Sequence, residues 1–93
     1  MAAERKVTVF ASAQAVLDKQ VTKNEHLTDL WEGLKWRLAR DPLADTYRIQ
    51  NSEPPTYVAR SPKRSGAALV AVFRFDAFNL HICDLRVDVT KDD

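Results

Sequence analysis

Ala67-Ala68-Leu69-Val70-Ala71-Val72-Phe73-Arg74-Phe75, then Asp76-Ala77-Phe78-Asn79, then Leu80-His81-Ile82-Cys83-Asp84-Leu85-Arg86-Val87-Asp88-Val89, is the stretch that decides the fold. The first segment is a nearly continuous apolar run, as in a central strand covered on both faces. The last alternates, which puts His81, Cys83, Leu85, Val87 and Val89 on one face and Leu80, Ile82, Asp84, Arg86 and Asp88 on the other. The four-residue turn between them, bounded by Asp76 and Asn79, joins two strands in an antiparallel hairpin. Upstream, Thr56–Arg60 reads as another short strand, followed by the polar turn Ser61-Pro62-Lys63-Arg64-Ser65-Gly66. Thr46–Gln50 is a further short strand candidate, and Asn51 to Pro55 is a loop by composition.

The first half has a different period. Leu27, Leu30, Trp31, Leu34 and Leu38 fall at i, i+3, i+4, i+7 and i+11, one stripe of a helix that Asp41-Pro42 stops. Ser12 stands as the N-cap of an earlier helix whose inward residues are Ala13, Val16, Leu17 and Val21. Thr22-Lys23-Asn24-Glu25 has capping-box spacing, which argues for a break between the two helices near Val21–Asn24. Lys6–Phe10 alternates as an opening strand and lies beside one of the later ones. The expectation is an α+β domain of order β-α-α-β-β-β. It has a small twisted antiparallel sheet of three to four strands, with the helical pair packed on one face.

Ninety-three residues, 45% of them apolar and 29% charged, make one domain over 1–93, with Met1–Arg5 and Thr90–Asp93 as loose ends. One Cys excludes an intrachain disulfide, and the longest apolar run, Ala67–Phe73, is too short to cross a bilayer. The expected location is cytoplasmic. The net charge of +1 conceals a basic stretch: Arg60, Lys63, Arg64 and Arg74 occur with no acid between Arg60 and Arg74. Affinity for phosphate depends on such local cations, so a patch here is able to attract a polyanion.

Phe10-Ala11-Ser12-Ala13-Gln14-Ala15 after the opening strand, the helix closing on Leu38-Ala39-Arg40-Asp41-Pro42, and the hairpin 68–85 together resemble the RelE/ParE toxin superfamily. The resemblance covers about residues 6–88 and rests on pattern and order more than on identities. It implies a toxin-like component of a bacterial type II toxin–antitoxin system, neutralised by a cognate antitoxin. RelE-like members cleave messenger RNA at the ribosome, and ParE-like members poison DNA gyrase. The chain departs from the family pattern where an Arg usually opens the central strand: Ala68, Leu69 and Val70 stand there. The family's basic C-terminal cluster is replaced by Val87-Asp88-Val89-Thr90-Lys91-Asp92-Asp93.

A nuclease needs a group to move protons and cations to hold a strained phosphate. The catalytic set available is Arg60, Arg86 and His81, with Tyr57 as a second proton-transfer candidate and Lys63, Arg64 and Arg74 as RNA-binding cations. A Lys-Arg turn is more often a solvated loop, and a lone His beside Cys83 is more often a packed core residue. Trp36 and Phe78 are the candidate partner-binding aromatics, for an antitoxin segment, a homodimer contact or a protein target. His81 and Cys83 lack companions for a metal site, and no Gly-rich phosphate loop exists, so no metal or cofactor is expected. A non-toxic protein-binding module with the same fold is the alternative reading.

Overall fold

The computed structural model describes residues 4–64 and 66–89, and of the ends expected to be loose, Met1–Arg5 and Thr90–Asp93, residues 1–3 and 90–93 lie outside them. The chain runs β1 (Lys6–Val9), α1 (Ala11–Lys23), α2 (His26–Arg40), β2 (Thr46–Arg48), β3 (Tyr57–Arg60), β4 (Ala67–Phe75) and β5 (Asn79–Val89). All five strands form one sheet of order β1-β5-β4-β3-β2. The fold class is the α+β arrangement the sequence implies, with both helices on one face. The sheet is larger than three or four strands and is mixed. β1 pairs parallel with β5, Lys6 opposite Asn79 and Val9 opposite Ile82, while every other pairing is antiparallel. A long excursion through both helices and three strands returns the chain beside its start, which permits the parallel pairing.

The helices form where the apolar spacing places them. Leu27, Leu30, Trp31, Leu34 and Leu38 of α2 are all buried, as are Ala13 and Leu17 of α1. They meet the inner face of β4, where Ala67, Leu69, Ala71 and Phe73 alternate small and large, and Leu80, Ile82 and Leu85 of β5. Burying a side chain such as Phe73 contributes about 2–3 kcal/mol. The helices break where expected, at Asn24–Glu25, but by different bonds. Asn24 Oδ1 accepts from His26 N at 3.0 Å, whereas the Thr22 hydroxyl donates back to Asp18 O at 3.0 Å, so no capping box forms. Ser12 lies inside α1, whose N-cap is Phe10.

Two hairpin turns set the rest. Arg64 and Ala67 exchange reciprocal backbone bonds of 2.8 and 3.0 Å around a turn in which Gly66 takes φ 76°, a value that favours glycine. In the β4–β5 turn, Asp76 Oδ1 accepts from both Phe78 N and Asn79 N at 2.8 Å. At the chain's start, Arg5 N donates to Ala39 O and Lys6 N to Phe78 O, which ties the first strand to α2 and to this turn.

The strict alternation expected of 80–89 is not kept. Val72 pairs with Asp84 but Phe73 pairs with Ile82, so Cys83 is an extra residue in a β-bulge. The bulge resets the phase. Ile82 and Leu85 both point inward, and His81 shares the opposite face with Asp84, Arg86 and Asp88. Nor is β4 covered on both faces, because its other side carries no helix and ends in the exposed Arg74.

Candidate functional site

Among the described residues, the helix-free face of the sheet gathers most of the chemistry-bearing side chains. Register fixes its rows. Arg60 of β3, Val70 of β4 and Arg86 of β5 lie side by side, and the next row is Val58, Val72 and Asp84, with Tyr47 of β2 beside Val58. The row beyond joins Arg74 to His81, and His81 to Thr8 of β1. Lys6 and Thr8 alternate with the core-packed Val7 and Val9, so they too belong to this face. Arg60 and Arg86 thus lie on either side of Val70.

The face has two electrostatic ends. At the first, Arg60 Nη2 is ion-paired with Asp88, and Arg86 Nε lies 3.7 Å from Asp84 Oδ2. Each cation there meets a carboxylate from β5. These are half-exposed pairs, which hold little energy individually and open readily. At the second end, Arg74 Nε donates to the Thr56 hydroxyl at 3.1 Å and has no carboxylate partner among the described residues. His81 is its cross-strand neighbour, half-buried, with its ring centroid 6.3 Å from that of Phe10. His81 is therefore neither a core residue nor beside the Arg60–Arg86 row. Val70 and Arg74 are four residues apart, so about 13 Å separates the two ends.

The remaining sequence candidates are dispersed. The Tyr57 ring packs on the helix side, stacked on Phe73 with centroids 5.8 Å apart, and is withdrawn from the open face. Arg64 reaches toward α2, with Nη1 3.6 Å from Asp29 Oδ2, and Lys63 is exposed in the same turn. Trp36 stands on the outer surface of α2, 60% exposed, and Phe78 projects from the β4–β5 turn, 76% exposed. Cys83 is half-buried with Sγ 3.6 Å from His81 O.

Sequence reasoning missed Lys6, Thr8, Phe10 and Tyr47 as members of the face. Alternation in Lys6–Phe10 puts Thr8 and Phe10 on one side, but which strand they meet follows from pairing across about 70 intervening residues, which no local pattern encodes.

One shifted carboxyl lies near the second end. Hydrogen bonds from the Phe78 and Asn79 backbone N–H groups hold the Asp76 carboxyl below its ordinary value, with a smaller contribution from the nearby His81. Its charge is engaged by the turn.

No protein-family model matches the chain, and no curated protein matches it in sequence. In fold it is similar to a chain of the toxin–antitoxin complex RelBE2 from Mycobacterium tuberculosis. The likeness has a TM-score of 0.68 at 19% identity and covers 92% of this chain and all of that one. The fold is RelE-like.

Proposed function

We propose that this chain is the toxin-like component of a type II toxin–antitoxin pair, neutralised by a cognate antitoxin and acting through the helix-free face of its sheet. The observation that carries the reading is the end-to-end fold likeness to a chain of a toxin–antitoxin complex. Fold alone leaves the target open, and the site chemistry narrows it. At the Arg60–Arg86 row both cations face carboxylates, so a phosphate there has to displace Asp88 and Asp84. The only imidazole on the face is at the other end, and Tyr57 is packed against Phe73. Proton transfer is therefore not assembled beside the Arg60–Arg86 row, as cleavage of RNA at that row demands. A face of paired opposite charges around the apolar Val58, Val70 and Val72 suits a protein surface of mixed charge better than a polyanion. Action by contact with a protein target, of the gyrase type, is the favoured branch.

A second branch, messenger RNA cleavage at the ribosome, draws support from Lys6 and Arg74, cations that share the second end of the face with the His81 imidazole. Inducible expression in bacteria, with growth followed and messenger RNA ends mapped, separates the branches. The expected result is arrest with intact messages and induction of the DNA-damage response. Codon-positioned cleavage moves the assignment to the nuclease branch. Normal growth with soluble, folded protein overturns the toxin reading altogether.

A further inference from the structure

Asp84, Arg86 and Asp88 stand at alternate positions of β5, so all three leave the sheet on its helix-free side. Asp84 Oδ2 lies 3.7 Å from Arg86 Nε, while its Oδ1 accepts from Leu85 N at 2.9 Å, which orients the carboxylate. Asp88 reaches further. It stands opposite Ala68, and Arg60 stands opposite Val70, so their ion pair passes over β4 between those two residues. The crossing spans about 10 Å of sheet, and the small side chain at Ala68 leaves room for it. Both guanidiniums of the row are thus met by carboxylates from one strand of the same chain.

Stability alone gives little reason for the arrangement. The Arg60, Asp88 and Asp84 side chains are each about half exposed and Arg86 is more exposed still, so water screens both pairs. Their effect on what the face accepts is larger. A guanidinium holds a carboxylate and a phosphate with the same fork of donors, so a carboxylate seated there competes with a phosphate for one position. A protein surface is able to exchange partners. Its own carboxylate takes the arginine, while a neighbouring lysine or arginine takes the released Asp84 or Asp88. A nucleic acid strand brings phosphates and no such cation. Binding it leaves two displaced carboxylates beside a polyanion, and that repulsion opposes the contact.

We propose that Asp84 and Asp88 are specificity-determining residues of the helix-free face, whose carboxylates occupy Arg60 and Arg86 and thereby bar polyanions from that row. The proposal rests on the reading of this face as the acting surface. Affinity for phosphate is then latent in the row, and neutralising two side chains releases it.

The test uses the purified chain and a fluorescein-labelled single-stranded oligouridylate, titrated by anisotropy over a range of salt concentrations. Asp84→Asn/Asp88→Asn removes both charges, and the asparagine at position 84 keeps an acceptor for Leu85 N. Asp18→Asn/Glu25→Gln makes the same change in net charge at exposed positions on the helical side and is the control. The first double variant is expected to bind the strand at least about tenfold more tightly than the parent at low salt. The slope of log affinity against log salt is expected to steepen by about 1.4, the increment for two further phosphate contacts on a single strand. Adding Arg60→Ala/Arg86→Ala is expected to abolish both gains. Circular dichroism and thermal melting confirm that each variant is folded. Parent binding as tight as the variant's overturns the proposal, and so does an equal gain in the control, which assigns the effect to net charge. A gain that survives loss of both arginines moves the contact to the Arg74 end and overturns it too. None of these titrations depends on growth arrest, so their failure leaves the toxin reading standing, and normal growth on expression leaves their result intact.

Discussion

Asp76 shows how one side chain organises a turn. Its carboxylate receives the backbone N–H groups of Phe78 and Asn79, and in doing so sets the angle at which Phe78 leaves the sheet. Those bonds favour the charged form, so the folded pKa lies below the unfolded one. A depressed carboxyl contributes stability that is present above the usual carboxylate range, near about 3.9, and lost as pH falls through the depressed folded value. The Phe78 and Asn79 amide resonances, followed by NMR, are expected to hold their shifts down to that range and move together only below it. A midpoint above the usual range contradicts the assignment. Asp76→Ala removes the acceptor altogether and is expected to lower the melting temperature and speed amide exchange in this turn. Asp76→Asn keeps an acceptor oxygen and is expected to retain most of the order.

The elements were legible in the sequence in proportion to how local their causes are. The α2 stripe from Leu27 to Leu38 is visible because five leucine and tryptophan positions repeat at helical spacing, and each one is buried. The β4–β5 hairpin is visible for the same reason, an apolar run and an alternating one around a short turn. The β5 bulge is not visible. Alternation through Cys83 looks regular in one dimension, and only the pairing of Phe73 with Ile82 reveals the reset that moves His81 to the open face. Pattern puts Arg60 and Arg86 on strands, and the register of the sheet brings them together across Val70. The His81–Arg74–Phe10 end depends on the bulge and on the parallel pairing of β1, both products of tertiary context. Gly33 is an element-scale case that measurement can settle. With open space around its Cβ position, Gly33→Ala is expected to stabilise the protein by about 1 kcal/mol through helix propensity alone. Chemical denaturation checks this, and a loss of stability instead reveals a contact that the free volume hides.

At the scale of the whole molecule, stability and candidate function occupy opposite faces of one sheet. The inner face carries the core, with Phe73 fully buried between Tyr57 and Phe75 at centroid distances of 5.8 and 6.1 Å. The outer face carries half-exposed ion pairs and hydroxyls, groups whose removal costs little because water replaces their partners. A small domain holds only about 5–15 kcal/mol in total, so this separation decides which substitutions are informative about function. Phe73→Ala is expected to cost about 3–5 kcal/mol and to leave the chain largely unfolded at growth temperature. Arg86→Ala, one strand away but on the other face, is expected to change stability by less than about 0.5 kcal/mol. Parallel denaturant titrations of the two variants test the separation. If Arg86→Ala proves as damaging as Phe73→Ala, the outer face is structural, and loss of any cellular effect in that variant reports unfolding rather than a lost contact with the target.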